Sequence, residues 1–122
     1  MVGTAVALLA EAERIIISGT GPTAGVARYM AVLLGRIGRP AATITGTGVS
    51  MADEALVLRR GDALVLLAYT PLHHHAAVLI DVARLRRAPV LLVTDTATDV
   101  VGVDLMLTCP RQQRGSTNAG EA

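Results

Sequence analysis

Residues 14–25 read RIIISGTGPTAG. Three consecutive isoleucines between Arg14 and Ser18 show no polar alternation, so they fit a short strand covered on both faces rather than one side of an exposed sheet. Residues 19–25 then make a tight glycine turn. Beyond it, Val26, Met30, Leu33, Leu34 and Ile37 recur at helical spacing, and Gly38, Arg39 and Pro40 stop that helix. Strand, glycine turn and amphipathic helix make the first half of a parallel β-α-β unit.

The same alternation continues in both directions. Residues 2–13 read as a helix, 41–45 as a second strand and 50–58 as a helix, with Ser50 and Asp53 spaced as a capping box. Gly61 and Asp62 mark a turn into the apolar run 63–68, ALVLLA. A helix over 71–87, a strand over 89–94, a loop or short helix over 95–101 and a fifth strand over 104–109 complete the pattern. Five short apolar strands joined by crossovers predict an α/β fold: a three-layer, doubly wound, five-stranded parallel sheet. In the helix over 71–87, Ala76, Val78, Leu79, Ile80, Val82, Ala83 and Leu85 wrap most of the circumference, which predicts burial on two sides.

Composition narrows the chemistry. The chain has 122 residues, enough for one domain with a real core. It is 52% hydrophobic with only two aromatics, Tyr29 and Tyr69, so that core is aliphatic. All 11 basic residues are arginine. The absence of lysine excludes a Schiff base, a Walker lysine and a lysine general base. A net charge of +1 predicts no strong pull toward nucleic acid or an anionic membrane. Cys109 is the single cysteine, which rules out an internal disulfide and leads us to expect a reducing, cytoplasmic setting. Residues 1–10 are apolar but short, lack a basic start and run into Glu11, Glu13 and Arg14, unlike a secretory leader. No apolar stretch reaches membrane-spanning length.

In open parallel sheets the ligand sits beyond the carboxyl ends of the strands, so four loops carry the functional information. The first, Gly19-Thr20-Gly21-Pro22-Thr23-Ala24, fits G-x-G-x-x-A, with glycines that admit an anion to the backbone and a helix start that offers N–H groups. A dinucleotide site also needs an acid at the end of the second strand, and none occurs between Arg14 and Asp53. A monophosphate cradle fits better, with a ligand-free glycine turn as the plain alternative. The second loop (45–50, TGTGVS) and the fourth (94–98, TDTAT) are also rich in hydroxyls, although threonine and serine cap helices in any α/β protein.

The third loop leads into His73, His74 and His75, which are all the histidines in the chain. Thr70 suits an N-cap, Pro71 a first helical residue and His73 the N3 position. Adjacent helical residues point about 100° apart, so three neighbouring histidines cannot face one ion. No acid or cysteine sits four residues away from them, which argues against a metal. His74 and His75 read as part-exposed helix-start residues, and His73 as the one placed to reach an anion.

Taken together, the order strand, G-x-G-x-T, helix, strand, helix, "RRGDALVLLAYT", helix, "RRAPVLLVTD" and "GVDLMLTCP" resembles the SIS (sugar isomerase) domain, especially the form in RpiR-type bacterial transcription regulators. The resemblance runs from about residue 8 to residue 110. It implies a flavodoxin-like sheet and a phosphosugar held at two loops. The family's G-x-G-x-S is matched by Gly19, Gly21 and Thr23, and its S-x-S-G-x-T aligns with residues 68–73. There the first serine is Ala68, Thr70 keeps a hydroxyl, Pro71 replaces the glycine and His73 the threonine.

The ligand residues so implied are Gly19, Thr20, Gly21, Thr23, Thr47, Tyr69, Thr70 and His73, with no metal, no cofactor and no assigned catalytic residue. The ligand geometry requires Thr23 and Thr70 to share one rim. The resemblance implies a non-catalytic phosphosugar sensor of transcription-regulator type. An aldose–ketose phosphosugar isomerase, for which Asp53, Glu54 and Asp95 are the available carboxylates, and an assembly module without ligand are the alternatives. It further implies a homodimer or higher homo-oligomer. We expect a shortened domain over residues 1–110, lacking the helix that usually follows the fifth strand, and a flexible tail over 111–122.

Overall fold

The structure is a computed structural model that describes residues 2–46, 49–69, 72, 74–96 and 100–109. Helix α1 (Val2–Glu11) leads into strand β1 (Arg14–Ser18). Then come α2 (Pro22–Arg36), β2 (Ala41–Ile44), α3 (Val49–Ala55), β3 (Asp62–Leu67), α4 (His74–Leu85), β4 (Val90–Thr94) and β5 (Leu105–Thr108). All strand pairs are parallel, in the order β2-β1-β3-β4-β5. The predicted doubly wound α/β fold is therefore the one observed.

The strand order explains the layers. The chain moves outward from β1 to β2 through α2, then returns across β1 through α3 to start β3. Right-handed crossovers running in opposite directions put their helices on opposite faces. Ile16, Leu64, Leu66 and Leu92 pack with Met51 and Ala55 of α3 and with Leu79, Ile80 and Ala83 of α4. On the other face Ile15, Ile17, Val65 and Leu91 pack with Ala5 of α1 and Ala27 of α2. Both parities of β1 and β3 are buried, which is why RIIIS and ALVLL show no alternation.

Several boundaries differ from expectation. Helix α3 starts at Val49, so Ser50 lies inside it and not at an N-cap. Helix α4 starts at His74, and Leu72 lies outside the helix, half buried against the α3/α4 core. The expected capping positions Thr70, Pro71 and His73 fall outside the described residues, but a helix beginning at 71 would have included Leu72. Within the single chain α4 buries one face. Ala76, Leu79, Ile80 and Ala83 are buried, whereas Leu85 is 82% exposed. Between β4 and β5 the described residues contain no helix, and Val100 and Val103 pack directly on the core.

Arginines hold the architecture together. Arg14 grips Asp62 with two parallel bonds, Nε to Oδ1 at 2.9 Å and Nη2 to Oδ2 at 2.7 Å, and also donates to the Val57 carbonyl at 2.8 Å. The Asp62 side chain is 1% exposed and Arg14 is 21% exposed. The hydrogen bond to Asp62 raises the Arg14 pKa above its ordinary value against the opposing effect of burial, and the carboxylate charge adds to the rise. Arg39 donates to the carbonyls of Leu9 and Ala12 at the end of α1, at 2.8 and 2.9 Å. Arg86 does the same for Leu58 at 3.1 Å. Cations at these carbonyl ends also complement the helix dipole.

Helices α2 and α4 end in the same hydrogen-bond pattern. Arg39 N–H bonds to Leu34 O and Gly38 N–H to Gly35 O, while Ala88 N–H bonds to Ala83 O and Arg87 N–H to Arg84 O. These are Schellman endings, which put one residue in the left-handed region. In α2 it is Gly38, at φ 83°; in α4 it is Arg87, at φ 59°.

Candidate functional site

Strands β1 and β3 are paired up to Ser18 opposite Leu66. Beyond that point the two backbones part. The Gly19 N–H bonds outward to Ile44 O at the end of β2, and the Ala68 N–H bonds outward to Val93 O on β4. A crevice opens between them at the switch in winding direction, the position at which open α/β sheets take ligands. The cavity measures about 130 Å³ and is lined by the ends of β1 and β3, the 19–23 turn and the first turns of α4. That is roughly the space of four waters and well below the roughly 300–1,000 Å³ of a whole small-molecule site. It suits one compact polar group, with the rest of a ligand projecting outward.

The first turn is built around Thr23. Its hydroxyl accepts the Thr20 N–H at 3.0 Å and donates to the Thr20 carbonyl at 2.9 Å, with the Leu67 carbonyl 3.5 Å away. Thr23 therefore clasps the loop to itself rather than presenting its hydroxyl outward. A Cβ on Gly19 would lie 2.5 Å from Thr23 O, so only glycine lets the helix start close over the strand end. Gly21 caps α2 at φ 57° and ψ −125°, a conformation open to glycine, and Pro22 follows as the first helical residue.

Of the residues expected at the site, Gly19, Thr20, Thr23 and Tyr69 line the cavity together. Gly21 shapes the turn without lining the cavity. Thr47, Thr70 and His73 lie outside the described residues, and with them the expected rim shared by Thr23 and Thr70; Thr23 and Tyr69 line one cavity. Glu54, one of the candidate carboxylates, accepts the Gly46 N–H at 2.9 Å and so ties down the second loop. Asp53 is exposed, and Asp95 takes a hydrogen bond from the Thr94 hydroxyl at 3.3 Å. None of these three carboxylates lines the cavity.

Two lining residues with polar side chains lie outside the expected ligand set. Ser18 is 1% exposed, and its hydroxyl makes no hydrogen bond with any described residue. A buried hydroxyl facing a cavity without a partner carries a desolvation cost that a bound polar group can relieve. In the sequence, the signal was a serine ending a run of isoleucines just before the glycine turn. The second residue is His75, expected to be one of two part-exposed histidines. Because α4 begins at His74, His75 falls in its first turn, half buried on the cavity wall, while His74 is exposed. No arginine, aspartate or glutamate lines the cavity among the described residues, and none of the described groups of His, Cys, Asp and Glu could hold a metal ion.

The SIS domain family model matches residues 8–104, a span that contains the glycine turn and the crevice between β1 and β3. The chain belongs to that family. Among solved structures it is similar to the sugar isomerase domain of the RpiR transcription factor from Sphaerobacter thermophilus, at 21% identity and a TM-score of 0.81, covering 93% of this chain and 65% of that one. The Vibrio vulnificus NanR protein complexed with ManNAc-6P matches at 25% identity and a TM-score of 0.72, covering 89% and 42%. An Escherichia coli CFT073 protein in complex with A5P matches at 15% identity and a TM-score of 0.78, covering 91% and 60%. The chain thus spans less than two thirds of the length of each. A comparison with curated proteins finds no match. No described helix is long and apolar enough to cross a membrane.

Proposed function

We propose that this SIS domain is a non-catalytic sensor of a phosphorylated sugar, of the kind that serves a bacterial transcription regulator. The observation that carries the proposal is the crevice between β1 and β3. It is closed by a glycine turn, floored by the unpartnered Ser18 hydroxyl and sized for a phosphate. The NanR complex with ManNAc-6P and the A5P complex support a phosphosugar as ligand. Gly19, Thr20 and Tyr69 face it together with Ser18, Gly21 and Thr23 shape the turn that closes on it, and Thr47, Thr70 and His73 complete the loops. No carboxylate lines the crevice among the described residues, which favours sensing over isomerisation.

The chain works in a reducing cytoplasm with its one cysteine, Cys109, unpaired, and its net charge of +1 gives this domain no direct hold on nucleic acid. It assembles with a second copy. Val26, Tyr29, Leu33 and Ile37 form a stripe along α2 and are 50%, 64%, 40% and 74% exposed, which favours a covered face. Sedimentation of wild type and Tyr29→Arg tests the dimer, and a monomeric wild type refutes it.

Thermal-shift titration with a panel of sugar phosphates, free sugars and orthophosphate tests the ligand. At one hundred times Kd a ligand stabilises by about 2.7 kcal/mol. For 122 residues this is a rise of roughly 10 °C. No shift with any sugar phosphate refutes the sensor. Turnover of ketose phosphates by the same preparation assigns it instead to the isomerases.

A further inference from the structure

We infer that His75 makes anion binding at this crevice proton-dependent, so that the site takes up a proton when it fills. The inference rests on the phosphosugar-site reading and adds its regulation. The lining contains no arginine, aspartate or glutamate among the described residues, and the chain has no lysine. The charge of a bound dianion is therefore met by hydroxyls, backbone N–H groups and whatever charge His75 supplies.

His75 is placed for this by the late start of α4, which puts it in the first turn and half buried on the cavity wall. Ser18, 1% exposed and without a hydrogen-bond partner, faces the same cavity and marks where a polar group is wanted. Imidazole is the ordinary side chain that changes charge between about pH 5 and 8. A bound anion beside an imidazole favours its charged form, and by linkage binding and protonation strengthen each other. Among the described residues the other titratable groups nearby are Tyr69, from the segment after β3, and His74, exposed on α4; His75 also takes part in an interaction beyond these. Strand β1 contributes Ser18 and helix α2 contributes Pro22 and Thr23 to the lining, none of which titrates in this range. His73 lies outside the described residues.

The test is calorimetric titration with inorganic sulfate, which stays a dianion from pH 5.5 to 7.5, repeated with the best sugar phosphate of the panel. Wild type should bind sulfate about three- to tenfold more tightly at pH 5.5 than at pH 7.5. Runs in buffers of different ionisation enthalpy should show net proton uptake. In His75→Gln the affinity should become independent of pH while binding survives, and His74→Gln should behave as wild type. PH-independent binding by wild type overturns the inference and leaves the phosphosugar site standing. So does pH dependence kept in His75→Gln, or lost only in His73→Gln. Failure of wild type to bind either anion at any pH overturns both.

Discussion

Replacing Arg14 with alanine tests what holds the edge of the sheet opposite the crevice. The variant removes both bonds to Asp62 and leaves that carboxylate, 1% exposed, with the Arg59 N–H at 3.0 Å as its remaining donor. Stranding one member of a buried pair costs about 3–5 kcal/mol. Unfolding entropy for 122 residues is about 0.26 kcal/mol per degree, so a loss of about 4 kcal/mol lowers Tm by roughly 15 °C. The reverse deletion, Asp62→Ala, should be milder, at about 2 kcal/mol. The orphaned guanidinium is 21% exposed, keeps the Val57 carbonyl and can reach water. The double variant should be more stable than Arg14→Ala alone, because no charge is left buried. Urea unfolding of all four proteins measures the cycle. Equal or reversed costs for the two single variants, or a loss below about 1 kcal/mol for Arg14→Ala, refute the asymmetry.

Gly19→Ala drives a Cβ to within 2.5 Å of Thr23 O and must push α2 off the strand end. It should cost about 1–3 kcal/mol and abolish the thermal shift with sugar phosphates. Thr23→Val removes the hydroxyl that both accepts from and donates to Thr20. A loss of about 1–2 kcal/mol is expected by chemical denaturation, with Thr23→Ser close to wild type. Arg87→Gly should stabilise by about 0.5–1 kcal/mol, since Arg87 occupies a left-handed C′ position at φ 59° where glycine carries no strain. Calorimetry should show Tm rising by roughly 3 °C.

Most of the frame was legible because local pattern and global fold agree. RIIIS reads as a two-sided strand, and β1 occupies those five residues. Gly38 reads as a helix stop, and it ends α2 at φ 83°. The start of α4 misled because Thr70-Pro71 satisfies the local rule for a helix N-terminus. Packing won over that rule: Leu72 rests against the α3/α4 core outside the helix, and the histidines move along by nearly a turn. Ser18 and Asp62 were hidden for a different reason. Their roles depend on partners 48 or more residues away, Asp62 on Arg14 and Ser18 on the walls that α4 and β3 supply. Only strand register brings those together.

The cleft at the switch point arises from main-chain divergence, Gly19 leaning toward β2 and Ala68 toward β4. No single side chain digs it, so exchange of any one wall residue leaves the divergence of the two strands in place. Amino-acid turnover along its walls re-tunes polarity and charge while the hollow itself persists, and a histidine can arrive where a hydroxyl is usual without closing the door to an anion.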